Sequence, residues 1–176
     1  RGDDHVMNTP KQILLYRALG ADLPTFGHVP MVLGKDRARL SKRHGAMSVT
    51  EYRDMGFLPD AFINYMVRLG WSHGDQEFFT RDELITKFSL DNVGKSAGIF
   101  DTDKLLALNG DHIKATLVRE LSTAALPFLE KEGCQAEEGE HLEGIVTSLH
   151  TRSKTLVELA QGARFYFLDR IEYEPK

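Results

Sequence analysis

The sequence predicts a mostly α-helical chain with a small α/β portion near its start. Three observations carry that prediction. "NTPKQILLYRALG" (residues 8–20) reads as a helix, and "HVPMVLG" (residues 28–34) soon after it as a short buried strand. From residue 58 onward, helix-length segments with apolar faces follow one another, bounded by Pro, Gly and capping residues. Between these parts lies "KDRARLSKRHGA", Lys35 to Ala46, in which five of the first nine residues are basic. The whole chain is mildly acidic, with 22 Lys and Arg against 26 Asp and Glu over 176 residues and a formal net charge of -4.

The elements follow in order. In the first helix Thr9 is placed to cap, Pro10 suits the first turn, and Gln12 completes a T-x-x-Q capping box. Ile13, Leu14, Leu15 and Leu19 form its apolar stripe and Gly20 ends it. Pro30 makes the following strand an edge or an entry position. "LPDAFINYMVRLG" starts at Pro59 and stops at Gly70, and Thr80 with Glu83 gives a second capping box in "TRDELITKF". "SLDNVGKSAGIF" reads as irregular, and "DTDKLLALNG" as a helix from a cap at Asp101 to an Asn-Gly stop. "DHIKATLVRELSTAALPFLEKEG" reads as two helices, with Pro127 early in the second or breaking the pair, and with Gly133 as the stop. After the acidic linker "CQAEEGE" come two short amphipathic helices, "HLEGIVTSLH" and "SKTLVELAQG", and an apolar closing segment, "ARFYFLDR".

Composition narrows the function classes. The hydrophobic share of 41% is enough for a packed core, and no apolar run is long enough to span a bilayer. The single cysteine, Cys134, excludes an internal disulfide and a cysteine-rich zinc site, which fits a cytosolic protein. Negative net charge argues against indiscriminate nucleic-acid binding, while a local basic patch can still hold phosphate. The opening "RGDDHVMNTPKQ" reads as part of a longer protein.

The motifs carry more. A basic loop leaving a strand can close over a polyphosphate and neutralise charge on a leaving pyrophosphate, with Ser41 helping to order the turn and Gly45 giving backbone freedom. From charge alone, a solvated surface loop is the commoner explanation. In "RGDDH", Arg1 can pair with a carboxylate or phosphate, and Asp3 and Asp4 can accept hydrogen bonds from a ribose or amine. Its spacing matches no strong metal motif, so no metal site is expected. Trp71, with His73 near it, reads as a plug between elements, and Gly94 to Ser96 is not a P-loop. Arg152 and Lys154 sit between two helices, where positive side chains can contact RNA.

Taken together, "RGDDH", "NTPKQILLYRALG", "FGHVPMVLGKDRARLSKRHGA" and "YRDMGFLPDAFINYMVRLGWSHGDQE" closely resemble the bacterial glutamyl-tRNA synthetases, which are class I aminoacyl-tRNA synthetases. The likeness is in register from Arg1 to about Phe79 and looser beyond. It implies an incomplete Rossmann-type half with a KMSKS-type loop over 1–50, a stem-contact α/β region over 51–113, and the first part of a helical anticodon-binding bundle over 114–176. "RLSKR" matches the signature, with Lys42 at the functional lysine and Arg39 departing from the usual first lysine. By that resemblance Lys42 stabilises the pyrophosphate of ATP, and Ser41 joins it at the nucleotide. Asp4 and His5 lie near the nucleotide, the Met31–Val32 backbone beside adenine, and Arg1 near glutamate and adenylate. Arg152 faces the anticodon.

The implied substrates are ATP with Mg2+, L-glutamate and a glutamate-specific tRNA, handled by a cytoplasmic monomer without membrane association. No zinc site is implied in this stretch. No H-x-G-H occurs in the chain, so a HIGH-type signature is missing and the chain alone is expected to be inactive. A free-standing tRNA-binding module derived from such an enzyme is the alternative, and the intact "RLSKR" loop argues against it. The helical end speaks against a paralogue that lacks the anticodon part, and against a glutaminyl enzyme with β-barrels.

Overall fold

The computed structural model describes residues 1–41 and 48–168. They form two compact units, one from the described residues of Arg1–Ala46 and Met66–Asp101, the other from those of Met47–Tyr65 and Thr102–Lys176.

The first unit opens with a 3-10 turn, Asp3–Asn8, that runs straight into α1 (Thr9–Ala18). Thr9 therefore does not cap. Helical torsions begin before it, and its hydroxyl donates to His5 O (3.3 Å) and pairs with His28 Nε2 (2.9 Å) instead. Gly20 ends the helix as expected, at φ 65°, with Gly20 N–H bonding Arg17 O and Ala21 N–H bonding Tyr16 O. α1 buries none of its residues, so the stripe of Leu14, Leu15 and Leu19 stays exposed.

β1 (Val32–Leu33) falls inside the expected strand. It pairs in parallel with β2 (Gly98–Ile99), in the register Val32 to Gly98 and Leu33 to Ile99. β2 lies in the stretch read as irregular, because two residues are too few to show alternation. Gly98 is required there, since a Cβ would come within 2.0 Å of Leu69 O. α4 (Arg81–Lys87) begins with the expected box, in which Thr80 Oγ1 accepts from Glu83 N–H (3.2 Å) and Glu83 Oε2 from Thr80 N–H (3.0 Å). The Lys87 ammonium, the Thr80 amide and Gln76 all bond that carboxylate, holding its pKa down to about 2. Trp71 is 3% exposed and packs with Phe79 and Leu84, as a plug should.

In the second unit, α2 (Val49–Asp54) is capped by a box of Ser48 and Glu51. Gly56 ends it at φ 83°, and Phe57 N–H bonds Tyr52 O while the two rings meet edge to face. α3 (Pro59–Arg68), which belongs to this unit as far as Tyr65, starts where its proline indicated. α5 (Thr102–Ala115) does not stop at Asn109-Gly110. Asn109 is fully buried there, its Oδ1 accepting from Leu58 N–H (2.8 Å) and its Nδ2 donating to Lys154 O (2.6 Å), and this pairing outweighs the turn preference of Asn-Gly. α6 (Val118–Lys131) contains Pro127 in its interior, so the break between the two helices falls before Val118. Pro127 and Thr123, whose carbonyl loses its helical partner, are both exposed, so the lost bond falls on the solvent side of the helix.

α7 (Glu140–Leu149) and α8 (Leu156–Ala163) complete a core in which Leu121, Leu129, Val146 and Leu159 are fully buried. Asn64 and His112 form a buried polar pair, Oδ1 to Nε2 at 3.0 Å.

Two expectations follow. A Cβ on Gly56 would lie 2.7 Å from Val157 N and 2.8 Å from Leu156 N, at a torsion that disfavours side chains. Gly56→Ala should therefore destabilise the second unit by about 2 kcal/mol or more in denaturant titration. Burial pushes the His112 imidazole down from its usual value, only partly offset by Asp60 and Asp111. The folded chain thus keeps His112 neutral while the unfolded chain binds a proton below roughly pH 6.5, so stability should fall as pH drops through that value. His112→Gln should flatten this dependence in titrations run from pH 7.5 to 5.5.

Candidate functional site

The first unit draws two sequence motifs together. Residues 1–3 lie along the approach to β1, with Asp3 N–H bonding Val29 O (2.8 Å) and Val29 N–H bonding Arg1 O (2.9 Å). After β1 the chain turns back on itself. Leu33 bridges Arg39 in antiparallel fashion, and Leu40 N–H bonds Val32 O (3.2 Å). Gly34 N–H bonds Ala38 O, Asp36 Oδ1 accepts from Ala38 N–H, and Arg37 takes the left-handed conformation, φ 61°. A non-glycine residue is uncommon there, so the turn is tightly specified by its hydrogen bonds.

Ion pairs hold this hairpin. Arg39 Nη2 meets Asp4 Oδ2 at 3.0 Å, and Lys35 Nζ meets Asp101 Oδ1 at 3.1 Å. Asp4 therefore sits against the basic loop. Met31 and Val32 are half-buried at the entrance to the hairpin, and Ser41 is half-buried where the described segment ends. Lys42 lies outside the described residues. His5 is half-buried in the opening turn, where its Nδ1 faces Asn8 Nδ2 at 3.4 Å. Arg1 lines an open cavity of about 560 Å³ with Gln12, Leu15, Tyr16, Leu19 and Phe26. The Lys35–Asp101 pair was not foreseen, because Asp101 read only as a helix cap.

The second unit places Arg152 in a one-turn 3-10 helix, His150–Arg152, between α7 and α8. Its surroundings fix that turn: Ser153 Oγ donates to Leu149 O (3.0 Å), Asn109 Nδ2 to Lys154 O, and Lys154 N–H to Glu158 Oε2 (2.7 Å). Arg152 lines an open cavity of about 520 Å³ with Gln161, Arg164 and Phe165. Two guanidinium groups beside an aromatic ring suit a nucleobase with its phosphates. Arg164 went unnoticed in the sequence because its segment read as apolar.

Among the described residues, no cluster of His, Cys, Asp or Glu is placed to hold a metal ion. No helix among them is long and apolar enough to cross a membrane.

Comparison with known proteins decides the family. Residues 1–107 match the model of the class I tRNA synthetases for glutamate and glutamine (E and Q), catalytic domain. The chain belongs to that family. Residues 120–176 match an anticodon-binding domain. The glutamate–tRNA ligase of Desulfosudis oleivorans is 61% identical over 175 residues, covering 99% of this chain and 38% of that protein. That of Syntrophobacter fumaroxidans is 58% identical over 176 residues, again spanning 38% of its length. A crystal structure of a glutamate tRNA ligase from Elizabethkingia meningosepticum matches with a TM-score of 0.78 at 25% identity, over 99% of this chain and 38% of that one. Glutamate-tRNA synthetase from Elizabethkingia anophelis gives 0.79 at 25% identity, over 99% and 39%. The chain thus spans about 38% of the length of the curated relatives it matches.

Proposed function

We propose that these residues supply the second half of the catalytic site and the start of the anticodon-reading surface of a glutamate–tRNA ligase. The observation that carries this reading is the Arg39–Asp4 pair, which joins the "RGDDH" segment to the base of the "RLSKR" loop at 3.0 Å. In the reaction, the carboxylate of L-glutamate attacks the α-phosphorus of ATP, supplied with Mg2+, and pyrophosphate leaves. A tRNA ribose hydroxyl then attacks the adenylate carbonyl and AMP leaves. The first step is mostly positioning and charge neutralisation. Lys42 neutralises the departing pyrophosphate, and Ser41 orders the loop beside it. Asp4 and His5 border the nucleotide, the Met31–Val32 backbone flanks the adenine, and Arg1 faces the glutamate and adenylate. Arg152, with Arg164 beside its cavity, meets the anticodon. The domain limits proposed are 1–50, 51–113 and 114–176.

The test replaces the matching segment of the Desulfosudis oleivorans ligase with these 176 residues. The chimera should support glutamate-, ATP- and tRNA-dependent pyrophosphate exchange, and Lys42→Ala should lower its kcat roughly 100-fold. The isolated chain should give no exchange. An inactive chimera that still binds tRNA, unaffected by Lys42→Ala, would favour the free-standing tRNA-binding module instead.

Arg152→Ala in the chimera should weaken retention of glutamate tRNA on filters by roughly 5- to 100-fold, with a smaller effect on an unrelated tRNA. Equal loss on both tRNAs, with a shallower salt dependence, would mean a phosphate contact only.

A further inference from the structure

The opening turn, Asp3–Asn8, is tied at both of its ends to one short segment, His28 and Val29. Ahead of Asp4 the tie is made by main chain. Asp3 N–H bonds Val29 O, Val29 N–H bonds Arg1 O, and Gly2 bridges Val29 in parallel. Beyond His5 the tie is made by side chains, through Thr9 and His28, both half-buried. Thr9 N–H bonds Val6 O in the 3-10 manner, and the Thr9 hydroxyl reaches the carbonyl four residues back, His5 O, at 3.3 Å. The same hydroxyl oxygen lies 2.9 Å from His28 Nε2. A carbonyl only accepts, so the single hydroxyl proton goes to His5 O and His28 presents an N–H to Thr9. Both the neutral Nε2–H tautomer and the imidazolium can do so. The result is a chain of hydrogen bonds in series, from His28 Nε2–H to Thr9 Oγ1–H to His5 O, that ends on the main chain of the turn. Asp4 and His5 thus lie between the main-chain tie and the side-chain tie.

We propose that His28, acting through Thr9, is a positioning residue for the turn that borders the nucleotide. This rests on the reading of Asp4 and His5 given above. The main-chain tie fixes Arg1 to Asp3 without help from the His28 side chain. A 3-10 turn makes hydrogen bonds of poorer geometry than an α-helix, so Asp4 and His5 depend on the second tie to stay in one place. Without the His28 N–H, the half-buried Thr9 oxygen is left short of a donor, and its bond to His5 O loses the support that aims it. ATP then meets a turn that samples several positions, and only a fraction of them bind it. Glutamate, faced by Arg1 on the main-chain tie, is bound as before.

The experiment measures pyrophosphate exchange in the chimera, with ATP and glutamate varied in turn. His28→Leu and Thr9→Val each remove one link. Each should raise the KM for ATP roughly three- to tenfold, with kcat and the KM for glutamate within about twofold. The double variant should be no worse than either single one, since bonds in series are broken once. His28→Gln, whose amide can place an N–H where Nε2 stands, and Thr9→Ser, which keeps the hydroxyl, should both stay within about twofold of the parent. A merely structural role would lower the folded fraction, and with it kcat, at an unchanged KM for ATP, and that result would overturn the proposal. So would additive losses in the double variant, or Gln and Ser variants as poor as Leu and Val. Asp4→Ala and His5→Ala separate the two levels of the argument. If they raise the KM for ATP while His28→Leu leaves it alone, the proposal falls and the reading of the turn stands. If both are silent, the reading of the turn falls and the proposal with it.

Discussion

The first unit depends on a backbone contact that permits no side chain. Gly98 brings β2 so close to Leu69 that a Cβ would sit 2.0 Å from the Leu69 carbonyl oxygen. With that approach allowed, β2 and Phe100 bond one edge of β1, while Arg39 and Leu40 bond the other. Two-residue strands hold little by themselves, so β1 owes its place to being paired on both edges. Met31 and Val32, the hairpin after them, and the Arg39–Asp4 and Lys35–Asp101 pairs all follow from where that strand runs.

The second unit has a polar counterpart. Asn109 lies in the middle of α5 where a helix would favour another residue, and it answers for two main-chain groups at once, Leu58 N–H and Lys154 O. A buried amide with both ends satisfied defines one arrangement, because every alternative leaves a donor or acceptor stranded at about 1–3 kcal/mol each. The group it fixes is the turn carrying Arg152. At Gly110 next to it an added Cβ would make only ordinary contact, 3.4 Å from Lys154 Cγ. Asn109 therefore serves a tertiary contact and not a turn, and the short turn of 150–154 receives a support that its own sequence does not provide.

What could be read beforehand divides along the same line. Gly20, Pro59, the Thr80–Glu83 box and Gly133 were legible because each acts on bonds within a few residues of itself. Thr9 misled because the local rule was right but a preceding 3-10 turn had already supplied the helix start. Asn109-Gly110 and Pro127 misled because burial in one case and exposure in the other decided the outcome, and neither is visible in a local window. For the site, Asp4 was named from its motif, and the structure adds the partner that gives it a place. Asp101 and Arg164 were not named, because a carboxylate beside a helix and an arginine in an apolar segment look ordinary until their neighbours are known.

The excess of positive charge on one loop of an acidic chain then has a two-part physical account. Exposed ion pairs contribute only about 0–1 kcal/mol each, so the Lys35 and Arg39 pairs cannot be what folds the unit. Their worth lies in selecting among hairpin orientations that differ by about that much, with Arg39 held to Asp4 and Lys35 to Asp101. Pairing also lowers the field that these two cations direct outward. Lys35 and Arg39 thereby serve the geometry of the turn. A turn in which both cations were free would attract anions of any kind more strongly, yet it would hold no fixed geometry toward them.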